Sequence, residues 1–220
     1  MQQQENSAPD TNLSEKAMTK STLGLVQVSS MMYAVFALVG ILLSIFVHKN
    51  FASNFAWPVK AIEGARLAVA GLLGAGVLII LSKQFEWMFP SYRAIKAAMV
   101  SILGRCTVVE SLYLAAISSV GEELLFRGAI QPFVGLAICS LLFGLLHVGP
   151  SGEVSSWSLW AVAAGWLLGY MFEQTGSLWA PIFTHALVNA VSILNLRRLY
   201  RLGPANSLPG SISAISKKIT

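Results

Sequence analysis

Charge is scarce in this chain. Only 11% of its 220 residues are Asp, Glu, Lys or Arg, against 55% that are hydrophobic. A soluble domain carries about 25% charged residues. So small a supply cannot cover a water-facing surface of this size. A water-soluble globular enzyme is therefore excluded, and an integral membrane protein is the expected class. Aspartate is almost missing: Asp10, in the polar N-terminal segment, is the only one. A membrane protease built on paired aspartates is excluded with it. The sequence contains no HExxH, the helix motif of one large class of zinc proteases. Its two cysteines, Cys106 and Cys139, lie inside apolar stretches. Their spacing makes neither a zinc motif nor a disulfide framework, and they read as small packing residues. The net charge of +5 does not point to nucleic acid. The basic residues sit at segment ends, which suits anionic lipid and membrane orientation.

What the chain does have is long apolar runs. Residues 1–21 carry no apolar repeat and read as a disordered polar tail. The first apolar stretch, residues 23–47, is too long for a secretory signal and long enough to cross a bilayer, which takes about 20 residues. A Gly-rich second span covers residues 65–81. Residues 94–103, preceded by Arg93 and carrying Lys96, read as a short interfacial helix. Residues 106–131, 136–148, 157–172 and 178–196 complete a set of about six spans. Pro132–Gly135 and Thr175–Ser177 are the turns. In the fifth span Ala161, Gly165 and Gly169 recur every four residues, a close-packing face.

The predicted fold is an all-α polytopic membrane bundle of about six transmembrane helices with one interfacial helix. Its expected parts are the tail 1–21, two N-terminal spans with the interfacial helix (22–104), a core over 105–197, and a basic disordered tail (198–220). With both termini inside, eleven of the fifteen Lys and Arg fall on the inner side. That asymmetry predicts cytoplasmic termini.

Charges in hydrocarbon cost about 2.5–3.5 kcal/mol each on insertion scales, so those inside spans are functional candidates. They are Glu110, Glu122, Glu123, Arg127, His147 and His185, with Asn189 as a polar companion. Glu123 and Arg127 stand four apart and share a helix face, so they neutralise each other. Glu122 is turned about 100° away and is left as an acid without a built-in partner, the position of a general base. His147 follows Phe143 by four residues, which lets the aromatic ring wall one side of the imidazole. His185 and Asn189 are also four apart and present two hydrogen-bonding groups from one face. Alone, each pair also reads as structural: an ion cluster pinning a helix, a satisfied core histidine, or interhelical glue.

Depth arithmetic separates these readings. Glu122 lies ten residues before Pro132, and His147 twelve after Gly135. In a hairpin turning there, both sit about 15–18 Å from the turn. His185 lies about 12 Å and Asn189 about 18 Å from the second turn on the same side. Three helices thus place polar groups at one level, which predicts a polar pocket inside an apolar bundle.

The set Glu122-Glu123-x-x-x-Arg127, Phe143-x-x-x-His147 and His185-x-x-x-Asn189 resembles the CPBP, or Abi, family of type II CAAX prenyl endopeptidases. The motifs occur in order across residues 106–196, less than half the chain. The resemblance implies an intramembrane endopeptidase for a membrane-associated substrate, such as a prenylated CAAX-type protein. It implies that Glu122 and His147 activate a water, that His185 and Asn189 stabilise the oxyanion, and that Glu123 and Arg127 hold the motif helix. No cofactor is expected. Zinc is the alternative, since Glu and His are adequate ligands. A membrane immunity or binding protein using the same pocket, and a small transporter, are the competing classes. No inverted repeat supports the transporter. Oligomeric state and the role of the first two spans stay open at this level. Gly149–Gly152 matches a short GxSG serine-protease pattern but reads as a turn.

Overall fold

A computed structural model describes residues 11–49, 51–58, 60–149, 152 and 154–203. Among them the secondary structure is all helical: α1 (Thr11–Leu43), α2 (Phe51–Phe55), α3 (Ala61–Met88), α4 (Pro90–Leu103), α5 (Val108–Glu123), α6 (Gln131–Leu146), α7 (Ser156–Thr175) and α8 (Trp179–Leu202). Two π-helical segments, Ser44–His48 and Leu124–Ile130, extend α1 and α5. The GxSG pattern has its Pro150 and Ser151 outside the described residues.

Two tail boundaries need correction. Helix α1 begins at Thr11 and so reaches back into the segment expected to be a disordered tail, while residues 1–10 lie outside the description. Helix α8 runs on to Leu202, past the expected start of the basic tail, of which 204–220 lie outside the description. Helix propensity and continuity carry a span beyond its apolar window, so hydropathy alone underestimates its length.

Among the described residues four helical stretches are long and apolar enough to cross a bilayer: Thr22–Phe46, Ala61–Met88, Val108–Leu146 and Trp179–Leu202. The third is 39 residues long but is not one rod. Gly135 breaks it with φ 77° and ψ 169°, a conformation glycine reaches without a Cβ penalty. In a straight helix Phe126 and Phe143 would be about 25 Å apart; their ring centroids are 4.9 Å apart. The chain therefore folds back at Gly135, within the expected turn. At 20 residues α7 matches the expected fifth span in place but falls short of that apolar threshold.

The surface is inverted relative to a soluble protein. Leu73, Val77 and Ile80 on α3 and Leu141 and Leu145 on α6 are more than half exposed, whereas Glu123 and Arg127 are 0% exposed. Apolar side chains outside and ions inside are what a lipid solvent selects. The protein is a helical membrane bundle.

Close helix approach sets the site. A methyl group on Gly144 of α6 would fall 2.8 Å from the Ser158 carbonyl oxygen of α7. One on Gly169 of α7 would fall 2.5 Å from Leu136 and 2.6 Å from Gln131. The Ala161–Gly165–Gly169 face is thus used inside the chain, against α6. Helices α3 and α8 run side by side in the same direction. Trp57 packs on Trp179 at one end, and Thr184 Oγ1 donates to the Gly71 carbonyl at 3.1 Å further along. Helix α5 runs antiparallel to α8, matching Leu114 with Ile193 in one apolar cluster and Ser118 with Asn189.

Glu110 is removed from the list of intramembrane candidates. It closes a capping box at the start of α5: its Oε2 accepts from the Thr107 backbone N–H at 2.7 Å, and its own N–H donates to Thr107 Oγ1 at 3.2 Å. Beside it, Cys106 is 1% exposed. Burial pushes its thiol up, and the Glu110 carboxylate adds to that. Both cysteines are buried and unpaired, in line with a packing role.

Candidate active site

Glu122 and Glu123 end α5, and the backbone widens into the π segment immediately after them. The Gln131 N–H reaches back to the Phe126 carbonyl, the five-residue step of a π-helix. The Glu123–Arg127 pair still forms, with Arg127 NH1 3.2 Å from Glu123 Oε1. Arg127 NH2 donates to the Gly165 carbonyl at 3.0 Å, and the guanidinium stands 4.6 Å over the Phe143 ring. A carboxylate, a carbonyl and an aromatic face thus receive one buried cation.

His147 ends α6 as its C-cap, with φ −93° and ψ 58°. Its Nδ1 lies 2.7 Å from the Phe143 carbonyl. A carbonyl can only accept, so Nδ1 carries the proton and Nε2 is turned to the site. The Phe143 and His147 ring centroids are 4.4 Å apart, the expected wall. Ser158 of α7 donates to the His147 carbonyl at 2.8 Å, which fixes this last turn.

His185 lines the cavity with Asn189 and is also tied to the second glutamate. Its Nδ1 lies 2.8 Å from Glu123 Oε1, so Glu123 accepts from α8 as well as from its own helix. With that proton held by a carboxylate, Nε2 of His185 also faces the site. Asn189 sits one helical turn away and donates from Nδ2 to Ser118 Oγ at 3.0 Å.

These restraints aim two ring nitrogens at one oxygen. Glu122 Oε2 is 3.7 Å from His147 Nε2 and 3.9 Å from His185 Nε2. Both separations exceed a direct hydrogen bond, and Glu122 Oε2 is buried without a partner of its own. Polar groups at that spacing are suited to a bridging water. The group lines a cavity of about 440 Å³ that also includes Asn189, Ser118 and Tyr33. The cavity continues along α3 to Lys83 and Glu86 and along α8 to Leu196. Its outer end therefore lies on the lysine- and arginine-rich side. There Lys96 is 2.7 Å and Lys83 3.6 Å from Glu86.

The structure thus brings together Glu122, His147, His185 and, at the cavity wall, Asn189. Glu123, Arg127 and Phe143 stand behind them. Among the described residues no group of three His, Cys, Asp or Glu side chains converges at metal-ligand spacing. Glu123 Oε1 already accepts from a guanidinium and an imidazole.

Two residues escaped the sequence reading. Ser118 lies four residues before Glu122 and shares its face, a signal that was present. Tyr33 comes from α1, far from any motif. It lines the same cavity as Glu122. The one hint was a phenol inside an apolar run, since a buried Tyr usually finds a partner for its hydroxyl. Glu173 accepts from Gln131 Nε2 at 3.1 Å.

Fold and site define a helical membrane protein with a glutamate–histidine cluster inside the bundle. The family described as type II CAAX prenyl endopeptidase Rce1-like matches residues 105–191. The uncharacterized protein YpbD of Bacillus subtilis (strain 168) is 30% identical over 139 residues, which cover 62% of this chain and 72% of that protein. The chain belongs to the Rce1-like type II CAAX prenyl endopeptidase family, the CPBP family that its motifs resemble. No solved structure matches the chain. The family is one of membrane peptidases. Membership supports a peptidase that acts on a membrane-associated peptide in a lipid environment.

Proposed function

We propose that the chain is a glutamate-dependent intramembrane endopeptidase. The observation that carries this reading is the convergence of Glu122 Oε2 with His147 Nε2 at 3.7 Å and His185 Nε2 at 3.9 Å inside one cavity. Glu122 Oε2 and His147 Nε2 are two acceptors aimed at one point, which suits a water that donates two protons and keeps a lone pair for attack. In the proposed step Glu122, assisted by His147, takes a proton as the water oxygen bonds to the scissile carbonyl carbon. The carbonyl π electrons move to oxygen. As the tetrahedral species collapses, the C–N bond breaks and the proton passes to the leaving nitrogen.

His185 and Asn189 are the proposed oxyanion donors. Donation from His185 Nε2 requires a proton there in addition to the Nδ1 proton held by Glu123. Carboxylate and imidazolium then balance each other in a medium where net charge is costly. Asn189 Nδ2 has one proton committed to Ser118 and one left for substrate. Donors fixed before reaction stabilise charge that develops in the transition state. No metal is part of this proposal.

The substrate class we infer is a membrane-associated protein, with prenylated CAAX-type proteins as the leading case. We place both termini on the cytoplasmic side with six passes, because the cavity's outer end and most Lys and Arg lie on one side. Proteomics of membrane-protein C-termini tests the assignment. Cells expressing the native chain are expected to accumulate shortened C-termini that are missing with Glu122→Gln. Identical C-terminal profiles would refute it and favour a binding or immunity role.

A further inference from the structure

The cavity has two charged ends. Glu122, His147 and His185 line one; Lys83, Glu86 and Lys96 line the other. At the second end cations outnumber the acid. Lys96 Nζ donates to Glu86 Oε1 at 2.7 Å, and Lys83 Nζ stands 3.6 Å from Glu86 Oε2. Arg93, on the same helix as Lys96, donates from NH1 to the Glu86 backbone carbonyl at 2.8 Å and to that of Trp87 at 3.1 Å. Three cations thus gather around one carboxylate, and their surplus suits an incoming anion.

Lys96 is the cation placed to meet it. Its side chain is 12% exposed, against 65% for Lys83. An ammonium has three donors, and among the described residues Lys96 uses one, on Glu86. Charges shielded in this way are screened by salt much less than surface charges are. The distance between the two ends sets the kind of anion that fits. Leu78 shares a core cluster with Phe143 and Val188, and the Phe143 ring packs on both His147 and His185. Glu86 stands eight residues further along α3, a rise of about 12 Å. An extended peptide advances about 3.3 Å per residue, so roughly three to four residues reach from the imidazoles to the lysines. Leu78 and Ile79 line the way between.

We propose that Lys96, with Lys83 beside it, holds the C-terminal carboxylate of the substrate, so that the cavity selects a scissile bond a few residues from a free chain end. The proposal rests on the peptidase reading of the Glu122 end and adds a specificity determinant at the other.

The test uses the full-length protein in phosphatidylcholine nanodiscs, with and without phosphatidylglycerol. The probes are two farnesylated peptides ending in a CAAX box, one with a free C-terminal carboxylate and one with a C-terminal amide. Internally quenched versions give kcat and KM; dye-labelled versions give Kd on Glu122→Gln, which needs no turnover. KM on the native chain and Kd on Glu122→Gln should both be about tenfold lower for the acid than for the amide, the scale of one hydrogen bond to a charged group. Lys96→Gln should bring acid and amide together, and Lys96→Arg should keep them apart. Glu86→Gln combined with Lys96→Gln removes the pair without leaving an orphan charge and should also abolish the difference. Equal constants for acid and amide, or no binding of either, would overturn the proposal; cleavage of both by the native chain would then leave the peptidase reading standing. A tenfold difference that survives loss of both Lys83 and Lys96 would overturn the assignment to these lysines. A difference abolished by phosphatidylglycerol would give the cluster to lipid headgroups and overturn it as well. Acid-selective binding by a native chain that cleaves neither peptide would uphold the carboxylate site and overturn the peptidase reading.

Discussion

His185 Nδ1 lies 2.8 Å from Glu123 Oε1, so the second glutamate of the pair holds an imidazole that faces the first. Glu123 joins α5 to α8 while also receiving the Arg127 guanidinium. One fully buried carboxylate thus does two things. It neutralises a buried cation, and it sets which nitrogen of His185 is turned to Glu122.

The first prediction follows from that double role. Glu123→Ala leaves the Arg127 guanidinium buried without its carboxylate, and breaking such a pair costs about 3–5 kcal/mol. Melting of the purified variant in detergent is expected to show this loss. Arg127→Met combined with Glu123→Leu should be milder than Glu123→Ala, because no orphan charge remains. A Glu123→Ala variant as stable as the native chain would contradict the ion-pair account.

The second concerns Asn189. Its amide is held by Ser118 rather than by Glu122. Asn189→Ala is expected to lower kcat by about 10²–10³-fold, the scale of one lost oxyanion donor, with KM almost unchanged. Ser118→Ala should cost less, since it loosens the amide without removing it. A rise in KM with native kcat would assign Asn189 to substrate binding instead.

The third concerns metal. Glu123 is engaged by a cation and an imidazole, a poor ligand environment for zinc. Purified protein dialysed exhaustively against chelator is expected to keep full cleavage of the peptide. Loss of activity restored by zinc alone would refute the metal-free proposal.

Much of this arrangement was legible in the chain, and the reason is geometric. Counting residues from a turn measures depth in a bilayer, so Glu122, His147 and His185 could be placed at one level before any contact was known. Spacing of four gave Glu123 to Arg127 and Phe143 to His147, because a helix face repeats at that interval. Rotation about each helix axis was harder. Nothing local says whether His185 turns toward Glu122 or Glu123, since that depends on how α8 packs against α5. The π segment was hidden too, because it changes backbone spacing without a residue signature. Tyr33 stayed invisible because its place in the cavity wall depends on α1 docking against Gly121 and through Gly40, a tertiary fact. The start of α1 was misread for a simpler reason: helix can continue where apolar periodicity stops.

The central claim is that the Glu122 carboxylate performs the chemistry. Glu122→Gln keeps the size of the side chain and removes the base. The decisive measurement is the cleavage rate of a farnesylated CAAX peptide by this purified variant, reconstituted in lipid, with native helicity and melting verified in the same sample. The account predicts no cleavage above the no-enzyme control by a folded protein. Native turnover by folded Glu122→Gln would contradict it.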